Sequence, residues 1–383
     1  MRELKLEDKF HSSLDFIKQC HFAAVDARGA RHLDEDLTIY DGCTSYFLGL
    51  AAAYTFDWKR TRLYLSETLV IIRALGAHRV DIQQPHPSMQ IDHIQQQLGR
   101  RLFWTMLVGV MSATLIPFHH HLTEFSSSIH QIGAAYGELF IPPPNSSNPY
   151  PSLPDEVDDI YIESAGILQQ PAGRVSKLVG FNINCRIYSS SDPLSTMEIA
   201  YGIDQIYEWN RQKKVLNDCY ERVEKVLRAI PPQLLLKPSP TVGKFANHSP
   251  VASHFNGLDG DSQRISQFEI QKANIYASQL CTRSFLVEKF FNLQDAFARR
   301  GGISTQGDGE TGDPTTLSNG YVPLEKRVAE ERESIVREFL HVLGNISPEN
   351  MEPNGLSFVS CFRILITKLM DSRSTRFDRL PQH

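Results

Sequence analysis

Apolar positions recur at three- and four-residue steps along most of this chain, a period that predicts helices. Leu14, Ile17, His21 and Ala24 mark a first helix, closed by Gly29. A second is expected over residues 37–55. Asp57 then offers a carboxylate to the free amides that open a third. In that third helix Leu65, Leu69, Ile72 and Leu75 share one face, and Gly76 suits the left-handed position past its end. The turn between the second and third helices is short, so the two should form an antiparallel hairpin. After a polar break with Pro85 and Pro87, the pattern resumes at Ile91. Ile94, Leu98, Leu102 and Met106 line one side of the next helix, and Phe103, Leu107 and Val110 another. A helix that is apolar on several faces belongs in an interior.

Further on, residues 195–230 read as one long helical pattern. Ile199, Ile203, Ile206, Leu216, Cys219, Val223, Val226 and Ile230 keep step, the phase shifts near Asn210, and Pro231-Pro232 stops it. More helices are expected over 263–298, 324–343 and 355–370. Six prolines between 142 and 154 predict an extended loop, closed by the acidic stretch 153–159. Residues 237–262, rich in Pro, Gly, Ser and His, and residues 301–320, poor in apolar groups, are expected to be mobile loops. No strand pattern of comparable length competes. The expectation is an all-α protein, a compact multi-helix bundle of antiparallel helix hairpins with long loops.

Composition narrows the function. Hydrophobic residues at 41% and charged residues at 22% are those of a globular protein. The net charge of −5 lacks the basic surplus that phosphate binding draws on, so direct sequence-specific DNA binding by this chain is not expected. The longest apolar run, residues 102–118, falls short of the roughly 20 residues of a membrane span. It also carries Thr105, Ser112 and Thr114, so it reads as a buried helix and no membrane is expected as a partner. The N-terminus is charged and has no apolar core of a signal peptide after it. The six cysteines include no C-x-x-C pair, which fits buried thiols better than a disulfide framework.

Candidate chemistry is sparse. His119, His120, His121 and His130 lack the spacing that converges on zinc. Asp155, Glu156, Asp158, Asp159 and Glu163 lack the order and turn glycine of a calcium loop, and are expected to form a solvated loop that caps the next helix. Arg100 and Arg101 are expected to pair with acidic neighbours or stay solvated rather than bind phosphate, Trp104 to lie in the core, and His78 to belong to a helix end. Arg211-Gln212-Lys213-Lys214 is too short a run to specify nuclear entry. Serine-hydrolase, P-loop, zincin and Rossmann signatures do not occur.

Several pieces, in this order, resemble the middle homology region of fungal binuclear zinc-cluster transcription factors. They are Leu75-Gly76-Ala77-His78-Arg79, then Arg100-Arg101-Leu102-Phe103-Trp104, then the Leu-Pro and Val-Asp-Asp elements between 153 and 159 that end in Asp158 and Asp159. Gln271, Ala273, Asn274, Tyr276, Arg283 and Leu286 match a later helix of that family. The sequence departs from the family beyond the Trp helix. Where an Asp and then Gly-Arg-Pro are usual, it has Val108-Gly109-Val110-Met111 and later Ile116-Pro117-Phe118-His119. The family's DNA-reading module holds two zinc ions on six closely spaced cysteines, a pattern not found here. The resemblance therefore ties zinc only to a missing N-terminal module, with no cofactor in this chain, and suggests a family member that lost the module or a sequence that begins after it.

The resemblance implies an N-terminal helix and turn over 1–35, a helical regulatory domain over 36–370 and a tail over 371–383. It implies regulation of RNA polymerase II transcription in the nucleus and no enzyme activity. Its partners would be proteins of the transcription machinery or a second copy, and a small-molecule effector could sit between helices. Leu75, Gly76, His78, Arg79, Arg100, Arg101, Phe103, Trp104, Asp158 and Asp159 would be its motif residues, with structural roles. Two other readings stand beside it. The hairpin over residues 37–75 suggests a helical protein-interaction scaffold unrelated to transcription. The aromatic content and scattered His and Asp residues suggest an enzyme acting on a hydrophobic metabolite.

Overall fold

Asp57 closes one helix and opens the next, and the first half of the fold is built outward from it. In the computed structural model, which describes residues 10–29, 32, 36–79, 92–114, 139, 141–202, 208–236, 260–299 and 324–355, the chain is all-α. The helices are α1 (Ser13–Arg28), α2 (Ile39–Tyr54), α3 (Trp58–Ala74), α4 (His93–Thr114), α5 (Leu178–Ser189), α6 (Asp192–Tyr201), α7 (Trp209–Arg228), α8 (Gly260–Arg299), α9 (Leu324–Asn345) and the single turn α10 (Pro348–Met351). The only strands among the described residues are β1 (Ile162–Glu163) and β2 (Gly166–Ile167), which pair antiparallel with Ile162 opposite Ile167. The chain divides into two units, Met1–Asn182 with Thr241–Phe268, and Ile183–Pro240 with Glu269–His383.

In the first unit, Asp41 starts α2 by accepting the Thr38 amide on its carboxylate (2.9 Å). The end of α2 forms a Schellman motif, with the Asp57 amide on the Ala52 carbonyl (2.9 Å) and the Phe56 amide on Ala53 (3.1 Å). The left-handed position of this motif, ordinarily glycine, is held by Phe56 at φ 59. Asp57 then accepts the Arg60 amide (3.1 Å) and caps α3. The α3 end repeats the motif with Gly76 at φ 69, as its sequence predicts.

Helices α2 and α3 run antiparallel. A Cβ placed on Gly42 would lie 3.3 Å from Ile71, and one on Gly49 would lie 3.2 Å from Leu65. The same Cβ on Gly42 would come within 2.8 Å of Leu102 on α4, so the small residue sets how closely three helices meet. Leu65, Leu69 and Ile72 are buried against this contact. Leu75 does not join them: it follows the last helical residue of α3 and is 39% exposed. The interior character of α4 holds over its second half, with Leu102, Phe103, Trp104, Met106, Leu107, Val110 and Met111 all buried, while Ile94 and Leu98 are half-buried and Gln95 is exposed. Residues 115–118 of the apolar run, His119, His120, His121 and His130 lie outside the described residues.

In the second unit the expected single helix over 195–230 is two. Helix α6 starts earlier, at Asp192, and ends at Gly202, whose φ of 95 no helix accommodates; α7 begins at Trp209. Leu216, Cys219, Tyr220 and Val223 form the buried face of α7, next to α6 and α9. Helix α8 is 40 residues long and supplies Ala273, Leu280, Leu286, Val287 and Phe290 to the core. The expected loop over 301–320 and all but Gly355 of the expected helix over 355–370 lie outside the described residues. So does most of the expected loop over 237–262, where α8 already begins at Gly260.

Candidate functional site

Gln97, Arg100, Arg101 and Trp104 fall at helical spacing of three, four and seven, so α4 carries them as one stripe. That stripe faces the acidic loop more than fifty residues later. Gln97, 2% exposed, exchanges two hydrogen bonds with Asp155. Its Nε2 donates to Asp155 Oδ2 (2.7 Å), and the Asp155 amide donates to Gln97 Oε1 (2.9 Å). Arg100 Nη1 lies 3.5 Å from the same carboxylate oxygen. Arg101 Nη2 reaches Asp159 Oδ1 at 2.7 Å. The Asp159 side chain is largely exposed, so this last pair contributes under about 1 kcal/mol. Trp104 donates its indole N–H to the Ser152 carbonyl (3.1 Å). Phe103, Trp104 and Tyr150 surround one another with ring centroids 5.4–5.7 Å apart, a favourable edge-on arrangement.

Asp158 points the other way. It is 5% exposed and accepts the Lys177 amide (2.8 Å) just ahead of α5, while its own amide donates to Gln170 Oε1 (2.8 Å). Arg174 Nε lies 3.8 Å from its second oxygen. The loop thus caps the following helix, yet Asp158 is not solvated as the sequence suggested. Asn182 ties the loop down from α5, donating to the Pro154 carbonyl (2.8 Å) and to Glu156 (3.2 Å).

The turn after α3 completes the cluster. A Cβ on Gly99 of α4 would sit 3.3 Å from the Ala77 Cβ and 3.8 Å from Ile39, so turn, α2 and α4 meet at that glycine. His78 accepts on Nε2 from Arg79 Nε (3.2 Å). Burial lowers its pKa, and the charges of Arg79 and Arg73 act in the same direction. The structure therefore brings Arg100, Arg101, Phe103, Trp104 and Asp159 to one contact, places Gly76 and His78 at its edge, leaves Leu75 outside, and uses Asp158 on the opposite side of the loop. Sequence reasoning missed Gln97, Tyr150 and Asn182. The step from Gln97 to Arg101 and Trp104 was the signal available for the first.

A second polar centre lies in the other unit. Arg283, 6% exposed, places Nε and Nη2 2.6 Å from Glu331 Oε1 and Nη1 2.6 Å from Glu338 Oε2, so it joins α8 to α9. Gln279 bonds both Arg283 and Glu338. Burial alone would lower the Arg283 pKa, but the two glutamates raise it. Burial pushes Glu338 upward, and the Arg283 charge with its hydrogen bonds more than offsets this and holds it below the usual carboxylate range. Burial also pushes the Cys219 thiol up to about 12 and Cys185 upward, which removes thiolate reactivity from both.

Asp192, the first residue of α6, is buried with Oδ1 lacking a hydrogen-bond partner. Burial raises its pKa to about 7, against a smaller opposing effect of Arg222. An acid whose folded pKa is raised favours folding fully below its unfolded value and loses that contribution as pH rises through the folded one. Asp192→Asn is therefore expected to raise the melting temperature above about pH 7 and to change it little near pH ~4, checked by thermal unfolding across that range. An equal shift at both ends would refute this.

Among the described residues no three His, Cys, Asp or Glu side chains converge to hold a metal ion, and no helix is long and apolar enough to cross a membrane. No family model, curated protein or solved structure matches the chain.

Proposed function

We propose that this chain is the helical regulatory region of a fungal transcription factor, acting on RNA polymerase II transcription in the nucleus. One observation carries the reading: the motif residues of the Arg-Arg-x-Phe-Trp helix and of the acidic loop, separated in sequence, meet each other directly through Arg101 and Asp159. Motifs that met only by chance would have no reason to be mutual partners. The α4 arginines are engaged in internal pairs, which fits a region that leaves DNA reading to another module. A scaffold role unrelated to transcription is favoured by a different observation. Tyr40, Phe47 and Tyr54 form an exposed aromatic stripe at seven-residue steps along α2, the kind of surface protein partners use.

The test is to tether the chain to a heterologous DNA-binding module upstream of a reporter in a fungal host. Reporter output is expected to change several-fold in either direction, and the purified chain is expected to retard no DNA sequence-selectively in a gel-shift. A nuclear fusion that leaves the reporter unchanged would remove the transcriptional reading in favour of the scaffold.

A further inference from the structure

Helix α1 differs from its neighbours in how it is held. It contributes no buried residue. Its partly covered positions are Asp15, Phe16, Ile17, His21, Ala24 and Arg28, of which Ile17, His21, Ala24 and Arg28 share one face at helical spacing. Leu14, Phe22 and Val25 remain exposed. The attachment concentrates at its C-terminal end. Arg28 Nη2 lies 2.6 Å from Glu67 Oε1 on α3, donates to Ser45 Oγ on α2 (2.8 Å) and reaches the Asp41 carbonyl (3.5 Å). His32, just past the helix, adds a second bond to the same Glu67 oxygen (2.8 Å). The Arg28 and Glu67 side chains are 8% and 14% exposed, so salt screens this pair less than a surface pair.

Midway along α1, His21 rests edge-on against Tyr64 with ring centroids 5.7 Å apart. Both His21 ring nitrogens are shielded from water and bonded to nothing, so docking leaves their desolvation uncompensated. A helix of 16 residues has little stability by itself. Little apolar area holds this one in place, and a single charge cluster anchors it.

We infer that α1 is a releasable strap. It leaves and re-docks on the α2–α3 hairpin as one unit, without unfolding the hairpin. Its departure uncovers a seat made of the Glu67 carboxylate, the Ser45 hydroxyl, the Asp41 carbonyl and the Tyr64 ring. The chemistry of that seat selects an arginine-bearing helix, and α1 is the helix that occupies it. The hairpin survives release because its own contacts, Gly42 with Ile71 and Gly49 with Leu65, involve no residue of α1.

Hydrogen–deuterium exchange of the full chain, read peptide by peptide, tests this. Amides of α1 are expected to exchange at least about tenfold faster than those of α2 and α3. Glu67→Gln and, independently, Arg28→Ala are expected to accelerate α1 by about a further tenfold with α2 and α3 unchanged. Arg28 belongs to the strap itself, so its variant leaves the hairpin sequence intact. The inference is overturned if α1 exchanges in step with α2 and α3 in the native chain. It is also overturned if both variants leave α1 unchanged, or if both accelerate all three helices together.

Discussion

Trp104→Ala is expected to lower the stability of the unit that contains it by about 3–5 kcal/mol, the range for removing a large buried aromatic. Two losses combine. Truncation leaves a cavity beside Phe103 and Tyr150, whose ring centroids each lie 5.7 Å from the indole. The Ser152 carbonyl loses its donor. That bond is one of the loop's attachments to α4, alongside those made by Gln97 and Arg101. Urea unfolding followed by circular dichroism measures the total. Trp104→Phe separates the parts, since it keeps most of the ring packing and loses only the N–H. Its cost should be about 1 kcal/mol, that of one hydrogen bond to the exposed Ser152, whose carbonyl can turn to water, with some lost area. An alanine variant within about 1 kcal/mol of the native chain would mean that the indole is not part of the packed interior.

Arg283→Ala should cost a similar amount, about 3–5 kcal/mol, for a different reason. The guanidinium is the shared partner of Glu331 and Glu338, and the Glu331 side chain is only 8% exposed. Removing Arg283 strands a negative charge where water cannot reach it. Replacing Arg283 with Met together with Glu331→Leu should recover much of the loss, because an apolar pair of similar volume needs no compensation. A pH signature accompanies this. Glu338 has a lowered folded pKa, so its contribution is present above the unfolded value of about 4.5 and is lost as pH falls through the folded one. In Arg283→Ala that acid-side decline should be smaller than in the native chain. Thermal unfolding of both variants from neutral to acidic pH checks the magnitude and the sign together. An Arg283→Ala chain whose acid-side decline is as large as that of the native chain would show that the arginine does not set the Glu338 equilibrium.

Much of the helical content was legible because apolar periodicity is a local property. Asp57 and Gly76 announced their boundaries for the same reason: a cap needs only the backbone within one turn of it. Three features were not legible, each for a physical cause. The break at Gly202 lies inside a run where Ile199, Ile203 and Ile206 keep helical step, so the pattern continues through a residue whose backbone does not. Leu75 matches the α3 face by spacing, but spacing does not say how far the covering residues reach over the last turn, where Leu75 is left 39% exposed. Phe56 in a left-handed conformation has no sequence signal, because the bonds of the motif hold it there rather than its own preference. The candidate site was legible as residues and not as a place. Nothing local couples Arg101 to Asp159 or Gln97 to Asp155, since their meeting depends on how the loop crosses α4.

Helices α2 and α3 share a single junction residue, and this leaves the hairpin no slack in phase. One residue added between Thr55 and Asp57 would advance α3 by about 100° about its axis relative to α2. Leu65 and Ile72 would move to the positions that Ser66 and Arg73 hold, now exposed, and Arg60 and Glu67 would turn into the buried positions of Thr61 and Thr68. Chain length at that corner is therefore part of the specification of the interior, as binding on the fold as any side chain within it.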